Sequence, residues 1–162
     1  MQKSQIQDIT NLLASTPIVA EEILMLLDER AVDYRHSPSY YSVKEIILHI
    51  WDSVRELDSF VESLSFVKTP QVKVEGTELS GFSEDIIQDI VSIMKEAKRT
   101  RLRTVFTLRK IRHDDWEKPL LVGDEQTNLY EVCRKIAEHE AAHLSQLRAI
   151  VSVIPDTITN RF

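Results

Sequence analysis

The chain has 162 residues, 43% of them hydrophobic, which suits a single domain over 1–162 with a substantial apolar core. Three glycines and five prolines are few for the turns of an all-β protein, and a net charge of −6 lacks the basic footprint of general phosphate-backbone binding, so no nucleic-acid partner is expected. No apolar run is long enough to span a membrane, no basic start leads into an apolar signal core, and the one cysteine, Cys133, cannot form an internal disulfide. These features predict a cytoplasmic protein with no membrane partner, in which Cys133 serves as a small buried hydrophobe.

The first helical stretch runs from about Ser4 to Leu27. Ile6, Ile9 and Leu13 form its stripe, continued by Ile23, Leu24 and Leu27. Ser15-Thr16-Pro17 is expected to break it, with Pro17 opening a renewed helix where its missing N–H costs nothing. The second helix starts at Ser42-Val43-Lys44-Glu45, a capping box in which serine hydroxyl and glutamate carboxylate each accept from the other residue's backbone N–H. Val43, Ile46, Ile47, Ile50, Val54, Leu57, Val61 and Leu64 then follow helical spacing.

A long connection from Phe66 to Phe82 holds Pro70, Gly76 and Gly81, and its alternating segment Gln71–Glu75 is a candidate for brief extension; no strand pairing is predicted. The third helix is expected to open at Ser83, with Glu84 and Asp85 suiting its dipole, and to end near Arg112. A loop with Trp116, Pro119 and Gly123 leads to Thr127 as the expected N-cap of a fourth helix, which Pro155 stops. The sum is an all-α four-helix bundle in which the long connection is a crossover, so that helices two and three run the same way.

Three histidines stand out. His139 and His143 lie four apart and share one helix face. A heptad through Leu129, Ile136, His143 and Ile150, and another through Val132, His139, Gln146 and Val153, puts both in the core seam, where imidazoles cost desolvation unless something satisfies them. His49 sits at the edge of the second helix's stripe, on a flank with Ile46, Ser53, Glu56 and Phe60, about 10 Å past the helix start. Antiparallel packing of helices two and four would bring the three to similar levels. Three neutral ligands and an open position are the pattern of a catalytic metal site. The bland alternative is that each histidine is satisfied locally.

His139-Glu140-Ala141-Ala142-His143 also fits H-E-x-x-H, the zincin pattern. Such enzymes take a third ligand downstream, and Asp156 is the sole carboxylate after His143; the extended form fails at Gln146 and Ala149. Two acid–base or orienting candidates are weaker: Glu140, either near the site or a solvated flank residue, and Asp52, placed to orient His49 or simply at the surface. Gln146 is a candidate supporting group for His143. On the third helix Lys95, Lys98, Arg99, Arg101, Arg103, Arg109, Lys110 and Arg112 read as a solvated face, or as a means of attracting an anionic substrate.

Tyr41-Ser42-Val43-Lys44-Glu45-Ile46-Ile47-Leu48-His49-Ile50-Trp51-Asp52-Ser53-Val54 resembles W-S-x-x-E-x-x-x-H-L-x-D-x-E of the DinB/YfiT-like superfamily, with Tyr41 for the usual tryptophan and Val54 for the common glutamate. His139-Glu140-Ala141-Ala142-His143-Leu144-Ser145-Gln146-Leu147 resembles that superfamily's H-[D/E]-x-x-H-x-x-Q-L. The resemblance implies a metal site of His49, His139 and His143 with zinc or nickel, in a homodimer, with relatives that are thiol-dependent transferases and isomerases. The function expected on this basis is S-transfer involving a low-molecular-weight thiol and a small-molecule substrate. A metal-dependent hydrolase or a non-catalytic metal or small-ligand module are the alternatives, and a purely structural helical dimer a third.

Overall fold

The computed structural model describes residues 2–66, 71–72 and 90–155. The helices are α1 (Lys3–Leu24), α2 (Val43–Phe66), α3 (Ile90–Lys110) and α4 (Leu129–Val153). Most of the connection expected at 66–82, and the expected start of the third helix at Ser83, lie outside the described residues.

The buried apolar residues form two clusters that fix the helix directions. One joins Ala20 and Leu24 of α1, Val43 to Val54 of α2, Ile90 to Ala97 of α3 and Leu144 to Ile150 of α4. The other joins Ile9 and Leu13, Leu57 to Val61, Val105 and Leu108, and Leu129 to Ala137. Along α2 and α3 the chain passes from the first cluster to the second; along α1 and α4 it passes the other way. Thus α2 and α3 run parallel, as the crossover predicts, and α4 runs antiparallel to α2. The main neighbours are α1–α3, α2–α3, α1–α4 and α2–α4. None of the described helices is long and apolar enough to cross a membrane.

The capping box of α2 forms as expected: Ser42 N–H donates to Glu45 Oε2 at 2.7 Å and Glu45 N–H to Ser42 Oγ at 3.2 Å. Three other expectations are corrected. The helix α1 continues through Pro17, although proline cannot donate to the carbonyl one turn back. Leu13, Pro17, Ala20 and Leu24 are all buried on the same helix, so core packing holds both halves in line. The N-cap of α4 is Asn128 rather than Thr127, with Asn128 Oδ1 accepting from Glu131 N–H at 2.9 Å. Thr127 instead ends a short strand.

That strand belongs to a small sheet of β1 (Gln71–Val72), β2 (Leu120–Val122) and β3 (Glu125–Thr127), where no strand pairing is predicted from sequence. The β2–β3 hairpin pairs Leu121 with Gln126, and Gly123, with φ of 59°, supplies the left-handed turn residue that side chains disfavour. Parallel β1 pairs Gln71 with Leu121, so the crossover is tied to the hairpin. Partly buried Leu120 and Val122 pack on the second apolar cluster, which explains why three-residue strands persist.

Asn128→Ala is expected to lower stability by about 1 kcal/mol in urea unfolding, while Thr127→Ala stays within about 0.5 kcal/mol. The reverse order would place the cap at Thr127.

Candidate metal centre

Antiparallel packing of α2 on α4 brings the three histidines together. The His49 and His143 rings stack with centroids 5.2 Å apart and planes 11° from parallel. His139 meets His143 edge to face at 4.4 Å, and the two Nε2 atoms are 3.0 Å apart. The Tyr41 ring packs edge-on against His49 at 5.6 Å. His143 is buried, His49 half-buried and His139 exposed, so the cluster forms a step from the core to solvent.

This arrangement corrects the phase of the α4 seam. Leu129, His143 and Ile150 are buried as expected, but His139, Gln146 and Val153 are exposed. The buried stripe runs instead through Cys133, Ala137, Glu140, Leu144 and Leu147.

His143 Nδ1 lies 2.9 Å from Gln146 Oε1. An amide oxygen only accepts, so Nδ1 carries the proton and Nε2 keeps its lone pair. Burial holds the His143 pKa below the ordinary histidine value; the bond to Gln146 opposes this, and the neighbouring His139 and His49 add to the lowering. The neutral ring is the form that ligates metal.

Neutral imidazole nitrogens are donors of the kind that would suit a divalent ion. With the His143 proton on Nδ1, His139 Nε2 is the donor across the 3.0 Å contact, and a bound cation would take the place of that proton. Ligand nitrogens at about 2.0–2.1 Å from one ion lie roughly 3 Å apart. Among the described residues no group of three or more His, Cys, Asp or Glu side chains is placed to hold a metal ion. His49 is stacked on the face of His143 and would have to turn for its ring nitrogen to join the other two.

The structure gives Glu140 a position different from either sequence reading. It is fully buried, and its Oε1 accepts from Ser53 Oγ of α2 at 2.8 Å and from Arg101 Nη2 of α3, itself fully buried. This carboxylate is committed to a three-helix junction. Asp52 pairs with Arg55, whose guanidinium lies over Trp51; no contact with His49 supports an orienting role. The basic face of α3 is drawn into local partners: Lys98 to Glu21, Arg99 to Glu96, Arg101 to Glu140 and Arg103 to Asp58. Lys110 lies over the Phe106 ring and Arg109 donates to Asn11.

Sequence reasoning passed over Glu56. It is half-buried one turn beyond Asp52, and burial raises its pKa, partly offset by attraction to His139 and reinforced by Asp52. Its place seven residues after His49, on the same flank, was the available signal. Cys133 matches its sequence reading: it is buried, and burial pushes its thiol up to about 12, with Arg101 opposing.

Two outcomes follow. Glu140→Ala, which strands the buried Arg101 charge, is expected to cost about 3–5 kcal/mol in urea unfolding, whereas an effect under about 1 kcal/mol would mean the junction is not closed in solution. A protonated Cys133 should resist an aromatic disulfide reagent at pH 8 in the native protein and react once the chain is unfolded in denaturant.

The family model of the DinB superfamily matches residues 13–147. Among solved structures, the chain is similar to YfiT from Bacillus subtilis at 13% identity, with 94% of this chain and 89% of that one covered and a TM-score of 0.80. YfiT is described as a probable metal-dependent hydrolase with an unusual four-helix bundle topology. A DinB-like protein from Bacillus subtilis, YjoA, aligns at 17% identity over 90% of both chains with a TM-score of 0.63. No curated protein matches the chain. Because the family match takes in the second helix with His49 and ends beyond both histidines of α4, the chain belongs to the DinB superfamily.

Proposed function

We propose that this chain is a metal-dependent enzyme in which His49, His139 and His143 hold a divalent ion, zinc or nickel, and a group is transferred to a low-molecular-weight thiol. The observation that supports the reading best is the meeting of three imidazoles from two helices at a step open to solvent, two of them with Nε2 atoms 3.0 Å apart. A bound ion with neutral ligands supplies uncompensated positive charge, which favours the thiolate over the thiol and hydroxide over water. Gln146 holds the tautomer of His143 that presents Nε2, and Tyr41 braces the His49 ring. The exposure of His139 leaves an approach for the reacting partners.

Water as the acceptor is the second reading, favoured by Glu56. A half-buried carboxylate with a raised pKa, electrostatically coupled to His139, has the character of a general base for a hydrolase. YfiT, described as a probable metal-dependent hydrolase, shares the fold.

Elemental analysis of protein purified without a histidine tag is expected to find about one zinc or nickel per chain, lost in the His139→Ala, His143→Ala double variant. Absence of metal from both, even after incubation with the divalent ions, would remove the basis of the proposal. With metal established, a screen of electrophiles is expected to show turnover that requires an added thiol and disappears in His143→Ala. Ester or amide cleavage indifferent to thiol, and reduced roughly 10²-fold or more by Glu56→Gln with metal retained, would establish the hydrolase instead.

A further inference from the structure

Beside the histidines lies a cavity of about 450 Å³, within the size range of small-molecule sites. Tyr40, Tyr41 and Ile46 form one side, and Gln146, Ala149 and Ile150 of α4 the other. His36, Ser39 and Val153 complete its lining. Two of these residues also touch the imidazoles: Gln146 bonds His143 Nδ1 at 2.9 Å, and Tyr41 packs on His49 at 5.6 Å. The cavity therefore adjoins the candidate metal centre through residues common to both.

Its lining is selective in chemistry. Among the described residues no Asp, Glu, Lys or Arg contributes to the wall. The nearby Arg35 is occupied with the Glu45 carboxylate and, through Nη1, with the Tyr40 carbonyl at 3.3 Å. His36 packs edge-on against Tyr40 at 5.8 Å and meets the Tyr34 hydroxyl at 3.4 Å. What remains for an occupant is aromatic and aliphatic surface from Tyr40, Tyr41, Ile46, Ala149, Ile150 and Val153, with neutral polar atoms from Ser39 and Gln146. The cavity is open to solvent on the side of Tyr40, Tyr41 and Val153, and a charged group would find no opposite charge on its wall.

We propose that this cavity binds the uncharged aromatic or branched aliphatic part of the enzyme's small-molecule substrate, with the substrate's reactive group directed past Gln146 toward the imidazoles. The assignment rests on the metal-centre reading for the direction of the reactive group, but not for the cavity's taste for apolar ligands. It locates substrate selection in the segment between α1 and α2, which brings His36, Tyr40 and Tyr41, and in the last turns of α4. Ala149 is the residue that leaves the space open, because a larger side chain there would enter the cavity from an otherwise exposed helix position.

The test uses 4-fluorobenzyl alcohol as an uncharged aromatic probe of the full chain, followed by fluorine NMR. Saturable line broadening is expected with wild-type protein and with Ala149→Ser, and binding roughly tenfold or more weaker with Ala149→Phe. Metal content and melting temperature of Ala149→Phe are measured alongside, and are expected to match wild type. In cobalt-loaded protein the bound probe should relax faster than in zinc-loaded protein, which reports its nearness to the ion. Failure of the probe to bind wild type, or equal binding by Ala149→Phe, would overturn the cavity assignment while leaving the metal reading standing. Binding lost in Ala149→Phe by a chain that holds no metal would sustain the cavity and sink the metal reading. If Ala149→Phe instead shifts the sedimentation mass from a dimer to a single chain, the cavity belongs to a protein interface and the small-molecule assignment falls.

Discussion

The Glu140 carboxylate, shared between Arg101 and Ser53, sets the arrangement on which the rest of the molecule depends. It touches α2, α3 and α4 at one level, between the two apolar clusters. A buried ion pair contributes little net stability, because desolvation of both charges offsets their attraction. Its effect is on specificity: a slip of α3 or α4 by a turn would strand a charge in the core. Nearby, Asp58 accepts from Thr104 Oγ1 and pairs with Arg103, adding two direct α2–α3 bonds that fix the same register. Arg101 Nε and Nη1 and Glu140 Oε2 have no partner among the described residues, a desolvation cost that the closed junction carries.

The neighbouring chemistry follows from that register. Glu140 immediately follows His139 and lies three residues before His143, so the turn of α4 that anchors the bundle also carries two of the three imidazoles. Ser53 stands four residues after His49 on α2 and does the same for the third. The histidines need no contact of their own to be brought to one level; the junction behind them does it. This division lets His139 remain exposed and responsive while its backbone is held by a buried neighbour.

Much of this was legible in the sequence, and the parts that were not have physical reasons. Helix count, the Ser42–Glu45 cap and the parallel course of α2 and α3 all rest on local patterns or on connection length. The phase of α4 was misread because the heptad count gave both histidines to the core. The true core residue, Glu140, is charged, and its counter-ion comes from another helix 39 positions away. No pattern along one helix announces such a partner. Pro17 misled because helix propensity is local whereas the packing of Leu13, Ala20 and Leu24 is not. Thr127 and Asn128 are both good caps by type, and the choice went to Asn128 once β3 took Thr127. The sheet escaped notice because its strands are only two or three residues long.

The parallel course of α2 and α3 has a consequence for how the chain reaches this state. In an up-down bundle every helix pairs with its sequence neighbour, and local contacts form before long loops have to close. Here α2 packs on its sequence neighbour α3, but α1 packs mainly on α3 and α4, α2 also on α4, and the Gln71–Leu121 strand pair closes a long segment of chain. Each of these contacts demands the entropy of a distant closure before it stabilises anything. The chain therefore folds more slowly than an up-down helical bundle of equal length and stability.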